Sequence, residues 1–313
     1  MGIKVSLIGA GNIGGTLAHI FASSGFCNQI TLLDLNEGVA KGKGLDIMQS
    51  SSIFHSGTII KGTNNYSDIE NSDVIVITAG IARKPGMSRD DLLKTNSGII
   101  ADVARNVAKH SPKSFVIIIT NPLDAMVQHF QEISKLDSKK VVGMAGVLDS
   151  ARFKTFIAEA LNVSQEDISC FVLGGHGDTM VPVLSCVTIA GIPLSHFVKS
   201  GKITQEKINA IVQRTRDGGA EIVSLLGTGS AFYSPAESAV EMARSYLFDK
   251  KRILPCAAKL NGQYSVNDLY VGVPCVIGKN GVESIIEVSL TDEEKSMLSK
   301  SVNAVKDLVK SIS

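Results

Sequence analysis

The sequence predicts an α/β fold: a doubly wound parallel sheet followed by a smaller α+β lobe. Three observations predict it. Six short, β-branched apolar runs alternate with amphipathic segments through the first half of the chain. A glycine-rich turn separates the first run from the first helical pattern, where such folds bind phosphates. After about residue 148 the alternation gives way to closely spaced strands and then long helical segments.

"IKVSLIG" (3–9), "ITLLD" (30–34), "TIIKG" (58–62), "VIVIT" (74–78), "FVIIIT" (115–120) and "VVGM" (141–144) read as strands. Several are apolar at every position, as expected of strands covered on both faces in a parallel sheet. Between the first two, Ile13, Leu17, Ile20 and Phe21 recur at helical spacing until Gly25. In the second half, "DSARFKTFIAEALN" is helical, and "ISCFVLGG" and "VPVLSCVTIAG" lie close enough to pair antiparallel. Helices follow near 204–226 and 235–248, then strands around 253–260, 269–278 and 284–289. Thr291 and Glu294 form a capping-box pair that opens a final amphipathic helix. The expected division is 1–146 for a nucleotide-binding domain and 147–313 for a substrate domain.

Composition narrows the function. The 313 residues hold 31 Lys and Arg against 30 Asp and Glu. Polyanion binding requires an excess of clustered positive charge, so neither nucleic acid nor an anionic membrane is an expected partner. The five cysteines are odd in number, widely spaced and lack C-x-x-C. They argue against a disulfide framework and a zinc site, and no metal is expected. No apolar run approaches membrane-spanning length, and the N-terminus enters a strand at Ile3 without a basic leader, so the expected location is cytoplasmic.

"LIGAGNIGG" supplies Gly9-x-Gly11-x-x-Gly14, which permits a tight turn, close approach of a pyrophosphate and close helix–strand packing. Asp34 ends the second strand 20 residues after Gly14. A carboxylate there accepts hydrogen bonds from ribose hydroxyls and repels a 2′-phosphate, so NAD is the expected cofactor rather than NADP. "TNPLD" ends the fifth strand at the sheet edge where ligands bind; its Asn121 reads equally as a ligand contact or a plain turn. "GGHGDT" sets His176 among glycines; a lone histidine is more often structural, but glycines that remove steric cover let another molecule reach the ring and tip the reading modestly toward proton exchange near neutral pH. Asp149 and Arg152, three apart in "LDSARF", share a helix face, either as a surface ion pair or as imidazole partner and carboxylate clamp. "IARKPGMSR" (81–89) places Arg83 and Arg89 directly after an apolar strand.

Together with "TAG" at 78–80 and "GTGSAFYSPA", these motifs in this order resemble the lactate/malate dehydrogenase family over nearly the whole chain. The resemblance implies a Rossmann domain binding NAD through Gly9, Ala10, Gly11, Asn12, Ile13, Gly14, Asp34, Asn96, Ile119, Thr120 and Asn121. It implies His176 as acid–base with Asp149 as partner, Arg152 on the substrate's C1 carboxylate, Arg89 on the carbonyl and Asn121 on substrate and cofactor alike. The lactate enzymes typically carry glutamine where this chain has Arg83. Arginine there can pair with a second carboxylate, and facing a methyl group it would be unpaired. The implied substrates are therefore malate and oxaloacetate, a reaction of the tricarboxylic acid cycle. The implied assembly is a homotetramer ahead of a dimer. Competing readings are a lactate or other 2-hydroxyacid dehydrogenase, an NAD-using glycosidase, and, from another class, a non-catalytic NAD-binding module.

Overall fold

β-Branched runs make strands because their stiff side chains pack well on a pleated surface. The computed structural model describes residues 2–81 and 89–312. Its first half runs β1 (Lys4–Ile8), α1 (Asn12–Ser23), β2 (Gln29–Leu33), α2 (Glu37–Ile53), β3 (Ile59–Thr63), β4 (Val74–Ile77), α3 (Arg89–His110), β5 (Phe115–Ile118), α4 (Leu123–Ser134) and β6 (Val141–Gly143). These six strands pair in parallel in the order β3-β2-β1-β4-β5-β6. All four residues of β4 and of β5 are buried, as the unbroken apolar runs predict for central strands.

The second half begins with α5 (Gly146–Leu161) and the two-residue strands β7 (Ile168–Ser169), β8 (Val172–Leu173), β9 (Val181–Pro182), β10 (Thr188–Ile189) and β11 (Ile192–Pro193). The expected antiparallel pairing is present as two short ladders, β8 with β9 and β7 with β10. Helices α6 (Leu194–Lys199), α7 (Gln205–Leu226) and α8 (Tyr233–Leu247) follow, then β12 (Arg252–Asn261), β13 (Asn267–Gly278), β14 (Gly281–Ile285) and α9 (Asp292–Lys310). The Thr291–Glu294 capping box opens α9 as expected.

The late strands do not build a sheet of their own. They continue the first one, with β12 antiparallel to β6 through Ala257 and Gly143, giving nine strands ending β6-β12-β13-β14. The physical reason lies at β6, whose residues are fully buried; as an edge strand it would leave a row of polar backbone unpaired. The last strand also ends at Ile285, earlier than the 284–289 run suggests. Among the described residues no helix is long and apolar enough to cross a membrane.

Candidate functional site

Two sets of residues meet above the C-terminal ends of the parallel strands. The first surrounds the glycine turn. Gly9 has φ +110°, open to glycine at little cost, and a Cβ on Gly14 would overlap the Gly9 carbonyl oxygen. A Cβ on Gly11, by contrast, would meet nothing within 4 Å. Gly11 also caps α1 without any side-chain acceptor, so the first-turn N–H groups are offered outward. That is the arrangement a pyrophosphate requires.

Asp34 closes the turn from the β2 side. Its Oδ2 accepts from Ala10 N–H at 2.7 Å and its Oδ1 from Asn36 N–H at 2.9 Å. Each carboxylate oxygen keeps a second lone-pair direction for a ribose hydroxyl. Beside it lies a cavity of about 510 Å³ lined by Asp34, Leu35, Tyr66, Gly80 and Ile99, with the size and mixed apolar–polar lining of a nucleotide pocket. The residues present fit NAD. The buried members of the expected contact set act as framework. Asn96 Oδ1 accepts from Ile81 N–H at 2.9 Å, and its Nδ2 donates to Asn121 O at 2.6 Å. Thr120 Oγ1 donates to Ala79 O at 2.7 Å. Asn96 and Thr120 thus lace together the loops that follow β4 and β5, with Ile119 and Ala10 buried beneath. Asn12, Ile13 and Asn121 keep access to solvent.

The second set is built on α5 and the loop after β8. Asp149, in the first turn of α5, is only 2% exposed, and Arg152 is 13% exposed. The "LDSARF" pair is therefore a buried one and not a surface ion pair. Asp149 uses both oxygens: Oδ2 meets His176 Nδ1 at 2.8 Å and Oδ1 accepts from Arg152 Nη1 at 3.3 Å. With Nδ1–H committed to the carboxylate, the neutral ring carries its free lone pair on Nε2, the nitrogen left for proton exchange. Burial alone would lower the ring's pKa, but the Asp149 charge and hydrogen bond, with the Asp124 charge, more than offset it, so the imidazolium is favoured. Burial lowers the Arg152 pKa, opposed by Asp149, and arginine stays charged regardless. Among the described residues the Arg152 Nε is buried without a hydrogen-bond partner.

The histidine loop is fastened at three successive residues, each to a different element. Gly174 N–H donates to Gly272 O on β13, Gly175 N–H to Ser301 Oγ on α9, and His176 N–H to Asp124 Oδ2 on α4, each at 2.8 Å. A Cβ on Gly175 would lie 2.6 Å from Val305 Cγ2, so the flanking glycines are needed for this close seating. Asp124 is 3% exposed and its Oδ1 has no partner among the described residues. Burial pushes its carboxyl up to about 6, against the His176 N–H bond and charge.

Sequence reasoning missed Asp124, although it stands inside the "TNPLD" motif; the signal was a carboxylate at a helix start beside a ligand-binding edge. It also missed Gly218 and Gly219, adjacent glycines inside α7, where glycine is disfavoured. A Cβ on Gly218 would lie 3.1 Å from Arg152 Cδ, so the glycine pair forms the floor under the guanidinium. Arg83 lies outside the described residues, as does the Arg89 side chain; Arg89 itself starts α3.

Comparison with known proteins bears on both sets. Residues 3–143 match the family model described as lactate/malate dehydrogenase, NAD binding domain, and residues 146–313 the lactate/malate dehydrogenase, alpha/beta C-terminal domain. A malate dehydrogenase of Caulobacter vibrioides is 56% identical over 306 residues, covering 98% of this chain and 95% of that one. The crystal structure of Cryptosporidium parvum malate dehydrogenase matches with TM-score 0.97 at 52% identity, over 100% of this chain and 99% of that one. A lactate dehydrogenase from the same organism, complexed with lactic acid and NAD, matches with the same TM-score, 0.97, at 48% identity over 100% and 98% of the two chains.

Proposed function

The chain belongs to the lactate/malate dehydrogenase family, and from that premise we propose that it interconverts (S)-malate and oxaloacetate with NAD. The observation that carries the reading is the buried His176–Asp149–Arg152 group beside a glycine cradle fit for a dinucleotide. NAD, when bound, supplies or accepts the hydride. The residues of the chain hold the substrate and manage its proton. Arg152, with an incomplete donor set, grips one carboxylate of oxaloacetate in a forked pair. Protonated His176 gives its Nε2 proton to the carbonyl oxygen as that oxygen gains charge, and Asp149 stabilises the imidazolium beforehand. In reverse, the neutral ring removes the hydroxyl proton of malate. Asn121, at the open end of the loop after β5, contacts substrate and cofactor. Arg89 stabilises the charge on the carbonyl oxygen.

Substrate choice rests on Arg83. The malate and lactate dehydrogenases of Cryptosporidium parvum overlay this chain equally well, so the fold does not discriminate between them. A second carboxylate needs a cation, and Arg83 provides one in the segment that separates the two activities within the family. Replacing Arg83 with Gln is expected to lower kcat/KM for oxaloacetate by about 10²- to 10⁴-fold, the scale of a lost buried charge pair, and to raise relative use of pyruvate. Steady-state rates on both substrates measure it. An unchanged preference would transfer the selector role elsewhere, and a wild-type preference for pyruvate would favour the lactate reading.

The functional division falls at 146/147, and the reaction is that of the tricarboxylic acid cycle in the cytoplasm. A homotetramer, with a dimer as the alternative, is supported by apolar side chains left in solvent on two helices: Leu45 and Met48 of α2, and Leu225 and Leu226 of α7. Light scattering on the purified protein tests it.

A further inference from the structure

The glycine turn contains one glycine that the dinucleotide pattern does not require. Gly15 lies beyond Gly9, Gly11 and Gly14, in the first turn of α1. Its missing side chain makes room for Lys43, which crosses from α2. A Cβ on Gly15 would lie 3.2 Å from Lys43 Cδ and 3.3 Å from its Nζ. The ammonium donates to the Gly11 carbonyl at 2.8 Å. Among the described residues no carboxylate comes within ion-pair distance of it. Asp46 and His19 line the same cavity of about 340 Å³, farther along α2 and α1.

We propose that Lys43 is a cofactor-binding residue of this chain: it braces the Gly11 carbonyl and presents its charge to the pyrophosphate. The inference rests on the NAD-binding reading above and extends it to a residue outside the recognised motif. The brace is direct: Gly11 O accepts from Lys43 Nζ at 2.8 Å as well as from Gly15 N–H at 3.0 Å. The residue after Gly11 opens α1, so the charge stands beside the helix end whose first-turn N–H groups are offered outward. An ammonium has three donors, and the Gly11 carbonyl occupies one. The helix N-terminus carries only a partial positive charge, so a full charge beside it supplements what the backbone offers a dianion. Lys43 arrives on α2, directly after the ribose-facing Asp34. One strand–helix unit thereby presents an anion to the ribose and a cation to the phosphates.

The test compares ligands with and without phosphate. Affinities of NADH and ADP-ribose are measured by fluorescence or calorimetry, and that of adenosine by competition, for the wild type, Lys43→Met and Lys43→Arg, at several salt concentrations. Loss of the ammonium beside this helix end is expected to weaken NADH and ADP-ribose by roughly five- to twentyfold. Adenosine should change by less than about twofold, because it lacks the group the ammonium faces. The Met variant should also show a shallower salt dependence, and the Arg variant should stay near wild type. Unchanged affinity for NADH and ADP-ribose in the Met variant would overturn the proposal. So would an equal loss for adenosine, which would mark Lys43 as a brace of the loop alone. Wild-type NADH binding without oxaloacetate reduction would defeat the proposed reaction while leaving this comparison readable.

Discussion

Replacing Asp149 with Asn isolates the charge at the centre of the site while keeping its shape. In the proposed reaction oxaloacetate reduction needs the protonated ring, so its kcat/KM is expected to be full below the His176 pKa and to fall as pH rises through it. In the wild type that pKa is raised, burial being outweighed by Asp149 and Asp124. The Asn variant keeps the burial and loses the larger of the two charges, so the limb moves to lower pH. The 2.8 Å contact between His176 Nδ1 and Asp149 Oδ2 is a charge-assisted hydrogen bond, a class worth about 1.5–3 kcal/mol. That corresponds to roughly a 10- to 100-fold loss of the protonated ring on the alkaline side. Malate oxidation uses the same group in its neutral form, so its limb should move in the same direction. Arg152 loses the charge of its 3.3 Å partner as well, which should alter the KM for oxaloacetate. NADH affinity should hold, because Asp149 lies apart from the cavity beside Asp34. The assay is absorbance of NADH across about pH 6 to 9 in both directions, with NADH binding measured separately. A uniformly lower rate with both limbs in place would refute the claim that Asp149 sets the protonation of His176.

Two further expectations follow from neighbouring groups. Asp124 moves from 3.8 to about 6 through burial, so it stabilises the fold most below its unfolded pKa, and that contribution is lost as pH rises to about 6. The unfolding free energy of the wild type relative to Asp124→Asn should therefore fall by at most about 3 kcal/mol between about pH 4 and 6, measured by denaturant melts; a flat difference would mean that Asp124 does not ionise there. Gly218→Ala should gain roughly 1 kcal/mol of helix stability, yet its Cβ would sit 3.1 Å from Arg152 Cδ. A higher Tm together with a several-fold higher KM for oxaloacetate is expected, and an unchanged KM would show that the glycine floor does not position Arg152.

The first six strands were legible because their signal is local: runs such as "VIVIT" and "FVIIIT" carry no polar face, so they belong at the centre of a sheet. The placement of β12–β14 was not legible, because the single register contact between Ala257 and Gly143 is set by which edge stays open, and no periodicity encodes that. At the site, the spacing of Asp149 and Arg152 put both on one helix face but could not say whether that face was wet. Burial decided it. The His176–Asp149 couple joins residues 27 apart through two separate elements, so the residues alone gave the parts and the family resemblance gave the pairing. Asp124 and the Gly218–Gly219 pair escaped because their meaning depends on what packs against them: a backbone N–H in one case, a guanidinium in the other.

The continuous sheet has a mechanical consequence for the site. Asp149 enters on α5, which starts three residues after β6 ends, while the histidine loop is tied to β13 through Gly174 and Gly272. β6, β12 and β13 are neighbours in one sheet, so both members of the acid–base couple are referenced to the same rigid body. A hydrogen bond of 2.8 Å weakens steeply with small displacements, and two lobes hinged between separate sheets would have to hold that distance through every motion between them. The bonds from Gly175 to α9 and from His176 to α4 remove the remaining freedom of the loop. Selection between substrates is assigned to a different stretch, the one that carries Arg83. If Arg83 selects the substrate as proposed, exchanging that one cation changes what is reduced without disturbing the His176–Asp149 couple.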